Sequence, residues 1–527
     1  MTGSALDPAQ AFNRAIAAYK AGQLADAEQI CQQIISAHPE HFDATHVLAV
    51  VQAALRKNDL ALASYDRALA LRPGHADVFN NRGNTLLALN RVGAALESYD
   101  RALALRPDYP EALSNRGSVL ERLGRYDEAI ASYDRALALR PDFVEALYNR
   151  GNALKAIKRF GDALASYDRA LALQPRYADA HNNRGQVLKE MMRYGEALKS
   201  YDAALAVEPK HVMAHCNAAA LRLLTGDFSR GWFDYEWRWL KDSVIPTYRR
   251  FPQPIWRGEE SIAGKTVLIH SEQGLGDTIQ FCRYVPLLAA AGARVVFEVQ
   301  KPLLNLMTGL AVPASVVARG DELPHFDVHC PLLTLPLAFG TQLETIPPGN
   351  AYLRAPEPHL AKWQARLAGV GRPRVGLAWS GNPNHDRDAE RSIPLRALEP
   401  LLDVPAVFIS LQKELRDGDA SFLRQRTDIL PLGEELEDFS DTAALMSEID
   451  VVITVDTSIA HLAAALGRPT WILVTHIPDW RWLLNRDDSP WYPAARLFRQ
   501  DSTRAWDGVI SRVHQALARL MAARSGQ

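Results

Sequence analysis

The chain has 527 residues, with 59 Lys and Arg against 61 Asp and Glu, a formal net charge of -2 and 48% apolar residues. That length exceeds what one hydrophobic core holds, so two or three domains are expected, and a near-neutral balance without a basic stretch gives no electrostatic footprint for nucleic acid or an anionic membrane. Four scattered cysteines, Cys31, Cys216, Cys282 and Cys330, form no CxxC pair, which argues against a disulfide framework and a thiolate zinc site and fits a reducing compartment.

The first ten residues, Met1 to Gln10, lack the basic start and apolar core of a secretory leader, and no apolar run is long enough to span a bilayer. A cytoplasmic protein is therefore expected. The phrase Tyr-Asp-Arg-Ala-Leu-Ala-Leu-Arg-Pro recurs from Tyr65, Tyr99, Tyr133 and Tyr167, and more loosely from Tyr201, at a 34-residue period. Such a period predicts a solenoid, stacked units that bury a continuous core and present an extended surface to a partner. The unit from Ala76 carries Phe79, Gly83, Leu86, Ala95, Tyr99, Ala102 and Pro107 in order. This resembles the tetratricopeptide repeat, a pair of helices in which small and large residues interdigitate. Units from Ala76, Pro110, Val144 and Ala178 are clear, those from Pro8 and Phe42 are looser, and the segment from Val212 decays as a terminal repeat should.

The sixth position of each unit lies on the first helix, which lines the groove in that family. It reads Asn13, Val47, Asn81, Asn115, Asn149, Asn183 and Asn217. A carboxamide both donates and accepts, so a row of them can hold an extended peptide by its backbone. This ladder resembles the one in the repeat groove of the eukaryotic O-linked N-acetylglucosamine transferases, which implies Asn81, Asn115, Asn149, Asn183 and Asn217 as acceptor-binding residues. The alternative is that near-identical copies repeat any residue, used or not. Arg82, Arg116, Arg150 and Arg184 follow the asparagines, so a more cationic groove and an acidic acceptor segment are further expectations.

All eleven tryptophans come after residue 231. The cluster Phe228, Trp232, Phe233, Tyr235, Trp237 and Trp239 marks the end of the solenoid, with a capping and packing role expected rather than ligand binding. Residues 1–240 are thus assigned to the solenoid and 241–262 to a linker, in which Pro246, Pro252 and Pro254 give Ile245 to Trp256 an extended character.

From Lys265 short apolar strands alternate with amphipathic helices. Thr266 to His270, the helical stretch Thr278 to Ala290 and Arg294 to Val299 open one set; Arg374 to Trp379, Val407 to Leu411, Val451 to Val455 and Trp471 to Val474 form a second. This βαβ grammar predicts two Rossmann-like halves, residues 263–365 and 366–527, with a cleft between facing edges. The first strand runs into Gly274-Leu275-Gly276-Asp277, whose glycines let backbone approach a ligand, although Asp277 with Gln280 also fits ordinary helix capping. In the second set, strand Val451 to Val455 leads into Asp456-Thr457-Ser458 and a helix through His461 to Leu466. A helix start dressed with hydroxyls suits a phosphate; capping by Asp456 and a core or capping role for His461 are the alternatives.

The stretches Gly274 to Asp277 and Asp456 to Gly467 together resemble the heptosyltransferase-like glycosyltransferases of the GT-B fold, over roughly the last half of the chain. The resemblance implies an α-solenoid followed by a GT-B transferase, with Asp277 as general base and Gly274, Gly276, Asp456, Thr457, Ser458 and His461 around the donor diphosphate. It also implies a basic residue after the middle strand. The loop Ser380-Gly381-Asn382-Pro383 with His385, Arg387 and Arg391 occupies that region, and Arg391 is chosen because a guanidinium binds two phosphate oxygens at once. Arginine stands where lysine is more familiar, and the Gln412-Lys413 pair is a further departure. Ser380, Asn382, Gln412 and Lys413 complete the expected donor set. No DxD pair stands where a metal would sit, so no metal and no cofactor are expected, the nucleotide sugar being a substrate.

Asp479-Trp480-Arg481-Trp482 and Pro490-Trp491-Tyr492-Pro493 are expected to wall the sugar or base pocket or to pack on the solenoid, and the helix Ala505 to Met521 to brace the first half. The leading reading is a transferase that moves a sugar from a nucleotide donor to a protein hydroxyl gathered by the solenoid. The alternatives are transfer to a lipid-linked or surface saccharide, and an interaction scaffold with an inactive transferase half. Repeat proteins of this kind often self-associate, and nothing in the sequence decides it.

Overall fold

The structure, a computed structural model, describes residues 7–241, 249–310, 312, 314–348, 350–385 and 387–525. Its contacts divide the chain into two compact units, Met1–Ala214 and His215–Gln527. No helix among the described residues is long and apolar enough to cross a membrane.

In the first unit, helices begin at Pro8, Phe42, Ala76, Pro110, Val144 and Ala178, each followed by a second helix that begins at Leu24, Asn58, Val92, Tyr126, Phe160 or Tyr194. The 34-residue period of the sequence is thus the period of the helix pairs, and the helix Val212–Thr225 starts a seventh at the unit boundary. The pairing rests on one repeated contact. A Cβ placed on Gly83, Gly117 or Gly151 would stand 2.6 Å from the ring of Tyr99, Tyr133 or Tyr167, and one on Gly185 would stand 2.5 Å from that of Tyr201. Each glycine therefore admits a tyrosine ring that is wholly buried, and large apolar area leaves water where the two helices touch.

The arginines after the asparagines do not enrich the groove in charge. Arg82 Nε donates to Asp66 at 2.7 Å and its Nη1 to Ser98 at 2.8 Å, so its head sits between the second helices of consecutive pairs. Arg116 with Asp100 and Ser132, Arg150 with Asp134 and Ser166, and Arg184 with Asp168 and Ser200 repeat this geometry. The cationic groove expected from sequence is corrected accordingly: each charge is matched by an aspartate one repeat earlier.

The second unit starts at His215 and carries the aromatic segment, helix Phe228–Tyr235 and a short turn Glu236–Leu240. It packs within this unit. Trp232 Nε1 donates to the carbonyl of Thr341 at 3.1 Å, and its ring meets Phe281, Trp480 and Trp491 edge to face. Residues 242–248, which include Ile245 and Pro246 of the expected connector, lie outside the described residues. Its later part pairs with a sheet edge, as Trp256 N donates to His329 O and His329 N to Pro254 O.

Two parallel sheets follow. The first contains β1 (Thr266–His270), β2 (Arg294–Val299), β3 (Ala314–Ala318) and β4 (Val328–Pro331), in the order β3-β2-β1-β4. The second contains β5 (Arg374–Ala378), β6 (Val407–Ser410), β7 (Ile429–Leu430), β8 (Val451–Val455), β9 (Thr470–Val474) and β10 (Ala495–Arg499), in the order β10-β9-β8-β5-β6-β7. Every strand of β5, β8 and β9 is buried along its length, as parallel strands covered on both faces must be. The helical stretch expected over Thr278 to Ala290 is interrupted: Leu275–Phe281 ends in a tight turn at Cys282–Tyr284 before Val285–Ala290. The C-terminal helix, Asp507–Ser525, buries Val509, Ile510, Val513, Leu517 and Met521 in the core of the second sheet, so it stabilises that half rather than bracing the first.

Replacing Gly117 by Ala tests the repeated contact. An exposed helical Gly→Ala change stabilises by about 0.5–1 kcal/mol, whereas here the methyl group collides with Tyr133, and a loss of about 1–3 kcal/mol is expected. Thermal unfolding of the full chain should show a lowered midpoint.

Candidate functional site

The site gathers at the carboxyl ends of the parallel strands, where chain leaving each strand exposes unpaired backbone groups. Two helices that start there lie against each other: Leu275–Phe281, which follows β1, and Ser458–Ala465, which follows β8. Their crossing needs Gly276. A Cβ at that position would stand 2.8 Å from Cδ2 of His461 and 3.5 Å from the Cα of Ser458, so a glycine here brings the start of one helix onto the start of the other. His461 is held in turn by a 2.8 Å hydrogen bond between Nδ1 and the Tyr492 hydroxyl and by the Trp482 ring, whose centroid is 5.4 Å away in a stacked arrangement. Burial, reinforced by Arg481, pushes its pKa down to about 3, so the imidazole is neutral.

Asp277 lies in the first turn of the Leu275–Phe281 helix. Its Oδ2 accepts the Gly274 N–H at 2.8 Å, closing the turn. Its Oδ1 is paired with the guanidinium of Arg481, which also donates to Gln280 Oε1 at 2.7 Å and Asp479 Oδ1 at 2.8 Å and lies over the Trp480 ring at 4.2 Å. Arg481 is 8% exposed. It joins the carboxylate and carboxamide of the first sheet's helix to the loop after β9.

Thr457 is the N-cap of the Ser458–Ala465 helix. Its backbone is extended, with φ -143° and ψ 176°, and its side chain makes no capping bond; its Oγ1 lies 3.4 Å from that of Thr454. The first turn of this helix therefore carries the positive end of the peptide dipoles without a side-chain cap. Asp456, just before it, does not cap. Burial and the nearby Asp479 carboxylate raise its pKa to about 6, while Arg481 holds Asp479 below the usual carboxylate range despite burial.

Arg391 comes from the loop after β5 to the same point. Its Nη1 donates to the Asp456 carbonyl at 3.0 Å, its Nε is 3.7 Å from Asp388, and a Cβ on Gly381 would stand 2.7 Å from its Nη2. Ser380 is buried beside it, and its N–H and that of Trp379 both point to Gln412 Oε1, at 3.2 and 3.3 Å. Because β6, β5 and β8 are neighbours, Gln412, Ser380, Arg391 and Asp456 converge. Asn382 and Lys413 do not join them. Asn382 is exposed and accepts from Asn384 N at 2.9 Å, and Lys413 reaches the Glu437 carbonyl at 2.9 Å.

The solenoid asparagines direct amide hydrogens to the preceding repeat. Asn81 Nδ2 is 3.3 Å from His46 Nε2, Asn115 donates to Asn80 at 3.0 Å, Asn149 to Ser118 at 3.4 Å, and Asn183 to Tyr148 and Asn152 at 3.0 and 2.9 Å. All five asparagines, Asn217 included, are half-buried. Among the α/β residues, the sequence placed Arg481 only within a segment expected to wall the pocket or pack on the solenoid, and Gln280 only as a capping partner of Asp277; it did not join the two. The spacing Asp479-x-Arg481, in which Asp479 also accepts Arg481 N at 3.0 Å, was the available signal.

Residues 12–76, 80–144 and 178–211 match the family "Tetratricopeptide repeat" and residues 151–191 the family "TPR repeat". Residues 435–476, which hold β8, the Ser458–Ala465 helix and β9, match "Glycosyltransferase family 9 (heptosyltransferase)". The chain is therefore a tetratricopeptide-repeat solenoid followed by a parallel-sheet α/β region, within which residues 435–476 are similar to glycosyltransferase family 9. It is similar to protein FlbA of Caulobacter vibrioides, 27% identical over 323 residues, which is 57% of this chain and 54% of FlbA; the chain spans about half the length of that relative. Among solved structures it is similar to YrrB, described as a TPR protein with an unusual peptide-binding site (24% identity, TM-score 0.32, covering 35% of this chain and 95% of YrrB). It is also similar to a tetratricopeptide repeat protein from Parabacteroides merdae (18% identity, TM-score 0.39, covering 46% and 96%).

The raised pKa of Asp456 has a signed consequence. A carboxyl that holds its proton more tightly when folded loses stability as pH rises from its unfolded value through about 6. Asp456→Asn should therefore stabilise the protein at pH 8, by up to about 3 kcal/mol, and should lose that advantage below about pH 4. Thermal melts of the two proteins across this range check the trend.

Proposed function

We propose that the α/β region is a GT-B glycosyltransferase that moves a sugar from a nucleotide-sugar donor to a hydroxyl of a polypeptide gathered by the solenoid. The observation that carries this reading is the crossing at Gly276 and His461, which puts the Asp277 carboxylate near the uncapped start of the helix after Asp456. In this reading the donor diphosphate lies against the first turn of the Ser458–Ala465 helix, where backbone N–H groups and hydroxyls of Thr457 and Ser458 face it. Arg391 offsets its charge with a guanidinium fork.

Asp277 accepts the proton of the acceptor hydroxyl as the acceptor oxygen bonds the anomeric carbon, and the bond from that carbon to the diphosphate oxygen breaks. Arg481 aims Asp277 through their ion pair, a positioning residue that acts through the base. His461, neutral and clamped by Tyr492, keeps the two helix starts in register. Acceptor capture by the solenoid is supported by the repeats and by the half-exposed carboxamides of its ladder. Asn115 and Asn149 direct N–H to the previous repeat, and their carbonyl oxygens suit peptide N–H groups.

The test incubates the full chain with candidate polypeptides and a panel of nucleotide sugars, following sugar on protein by mass spectrometry. Asp277→Asn should lower kcat by about 10²–10⁴ while donor binding persists. Arg481→Gln frees the Asp277 carboxylate to swing, so kcat should fall while KM for the donor changes little, and Arg481→Lys should recover part of the loss. Simultaneous Asn115→Ala and Asn149→Ala should raise KM for the polypeptide and leave KM for the donor unchanged. Sugar found on lipid or saccharide but never on protein would contradict the acceptor assignment.

A further inference from the structure

A second cavity lies away from the site above. It has a volume of about 640 Å³ and lies where the loop after the Trp480–Trp482 turn, β10 and the C-terminal helix meet. β10 is the edge strand of the second sheet and β9 separates it from β8. Arg486, Arg496, Arg499, Arg512 and Arg519 line this cavity against one carboxylate, Asp487, in a protein whose net charge is -2.

The arginines differ in what already engages them. Arg486 pairs with Asp488 at 2.6 Å, and Arg499 donates to the carbonyls of Arg486 and Trp482, so these two frame the cavity. Arg512 uses one nitrogen on the Arg499 carbonyl at 2.5 Å, and Arg496 lies over the Phe498 ring at 4.9 Å. Arg519 makes no hydrogen bond or ion pair among the described residues. Arg512 and Arg519 are seven residues apart on one helix, hence on one face and about 10 Å apart along it, and both are exposed, as is Arg496. Like charges held together repel; Asp488 answers Arg486 and Asp501 lies near Arg512, and five guanidinium groups still exceed these two carboxylates and Asp487, a positive potential that an anion relieves.

We propose that this cavity binds a soluble small anion carrying two or more phosphate groups. Its volume lies in the range of small-molecule sites, about 300–1,000 Å³, and guanidinium forks match phosphate oxygens in pairs. The only aromatic side chain in the lining, Phe498, is 5% exposed, so the cavity offers no face on which a nucleobase could stack. Recognition therefore falls on the phosphates. This site is separate from the donor site proposed above and does not depend on it.

Calorimetric titration of the full chain with pyrophosphate and tripolyphosphate tests the proposal, with Arg496→Glu, Arg512→Glu and Arg519→Glu combined in one variant. Affinity should fall at least about tenfold in that variant, as expected for lost charge-assisted hydrogen bonds, should weaken with salt, should rise in Asp487→Asn, and should be retained in Arg391→Gln. If charge reversal lowers the melting temperature by more than a few degrees, the triple Gln variant replaces it with the same expected loss. Wild-type-like binding by the triple variant, or loss of binding in Arg391→Gln, would overturn the assignment. Tighter association with phosphatidylglycerol vesicles or polyglutamate than with tripolyphosphate would overturn it too.

Discussion

The α/β region depends on one close approach, that of Gly276 to His461. The two helices that meet there start from different sheets, so their contact sets where the carboxylate of the first sheet's helix stands relative to the helix start of the second. A side chain at 276 would force the imidazole or the helix starts apart by about 1 Å to restore ordinary contact, and packed interiors absorb such a change poorly. The surrounding residues look like consequences of this constraint. Tyr492 and Trp482 hold the imidazole from the other side, and Arg481 ties Asp277 and Gln280 to the loop after β9. Burying a guanidinium is costly unless its donors are met, and here two carboxylates, a carboxamide and an indole ring meet them.

The solenoid solves its packing with the same device used four times. A glycine on one helix and a buried tyrosine on the next make a small-against-large contact, and an arginine fastens consecutive second helices through an aspartate and a serine. Individually such exposed pairs contribute little; repetition at a fixed period makes them a lattice in which each repeat stabilises its neighbours. Because the arginines are turned to the second helices, the first helices keep a face of carboxamides and small polar groups. In the function proposed above, that face takes the backbone of a polypeptide rather than one charge pattern.

Much of this was legible in the sequence because it is periodic or local. The 34-residue repeat marks every helix pair, and the central strands read as short apolar runs. The motif Asp456 to Gly467 points to a strand, a turn and a helix. What was not legible is tertiary. β7 is two residues long, β4 ends in a proline, and β3 and β10 carry exposed positions that weaken an apolar run, and the break at Cys282–Tyr284 leaves no mark in the helical pattern of the sequence. The glycine of the Gly-Leu-Gly-Asp turn was expected to let backbone approach a ligand, whereas Gly276 admits a histidine ring. Arg82 and its equivalents were expected at the groove because sequence offset gives a helix position but not the partner that draws a long side chain away. Arg481 lies two hundred residues from Asp277, and no spacing rule joins them.

The most direct measurement is a crystal structure of the full chain with the nucleoside diphosphate that a binding screen selects. The account expects the diphosphate on the first-turn amides of the Ser458–Ala465 helix, with Arg391 in contact and Asp277 facing the space where the sugar would sit. A diphosphate bound away from that helix, or Asp277 turned out of the crevice when it is filled, would contradict it.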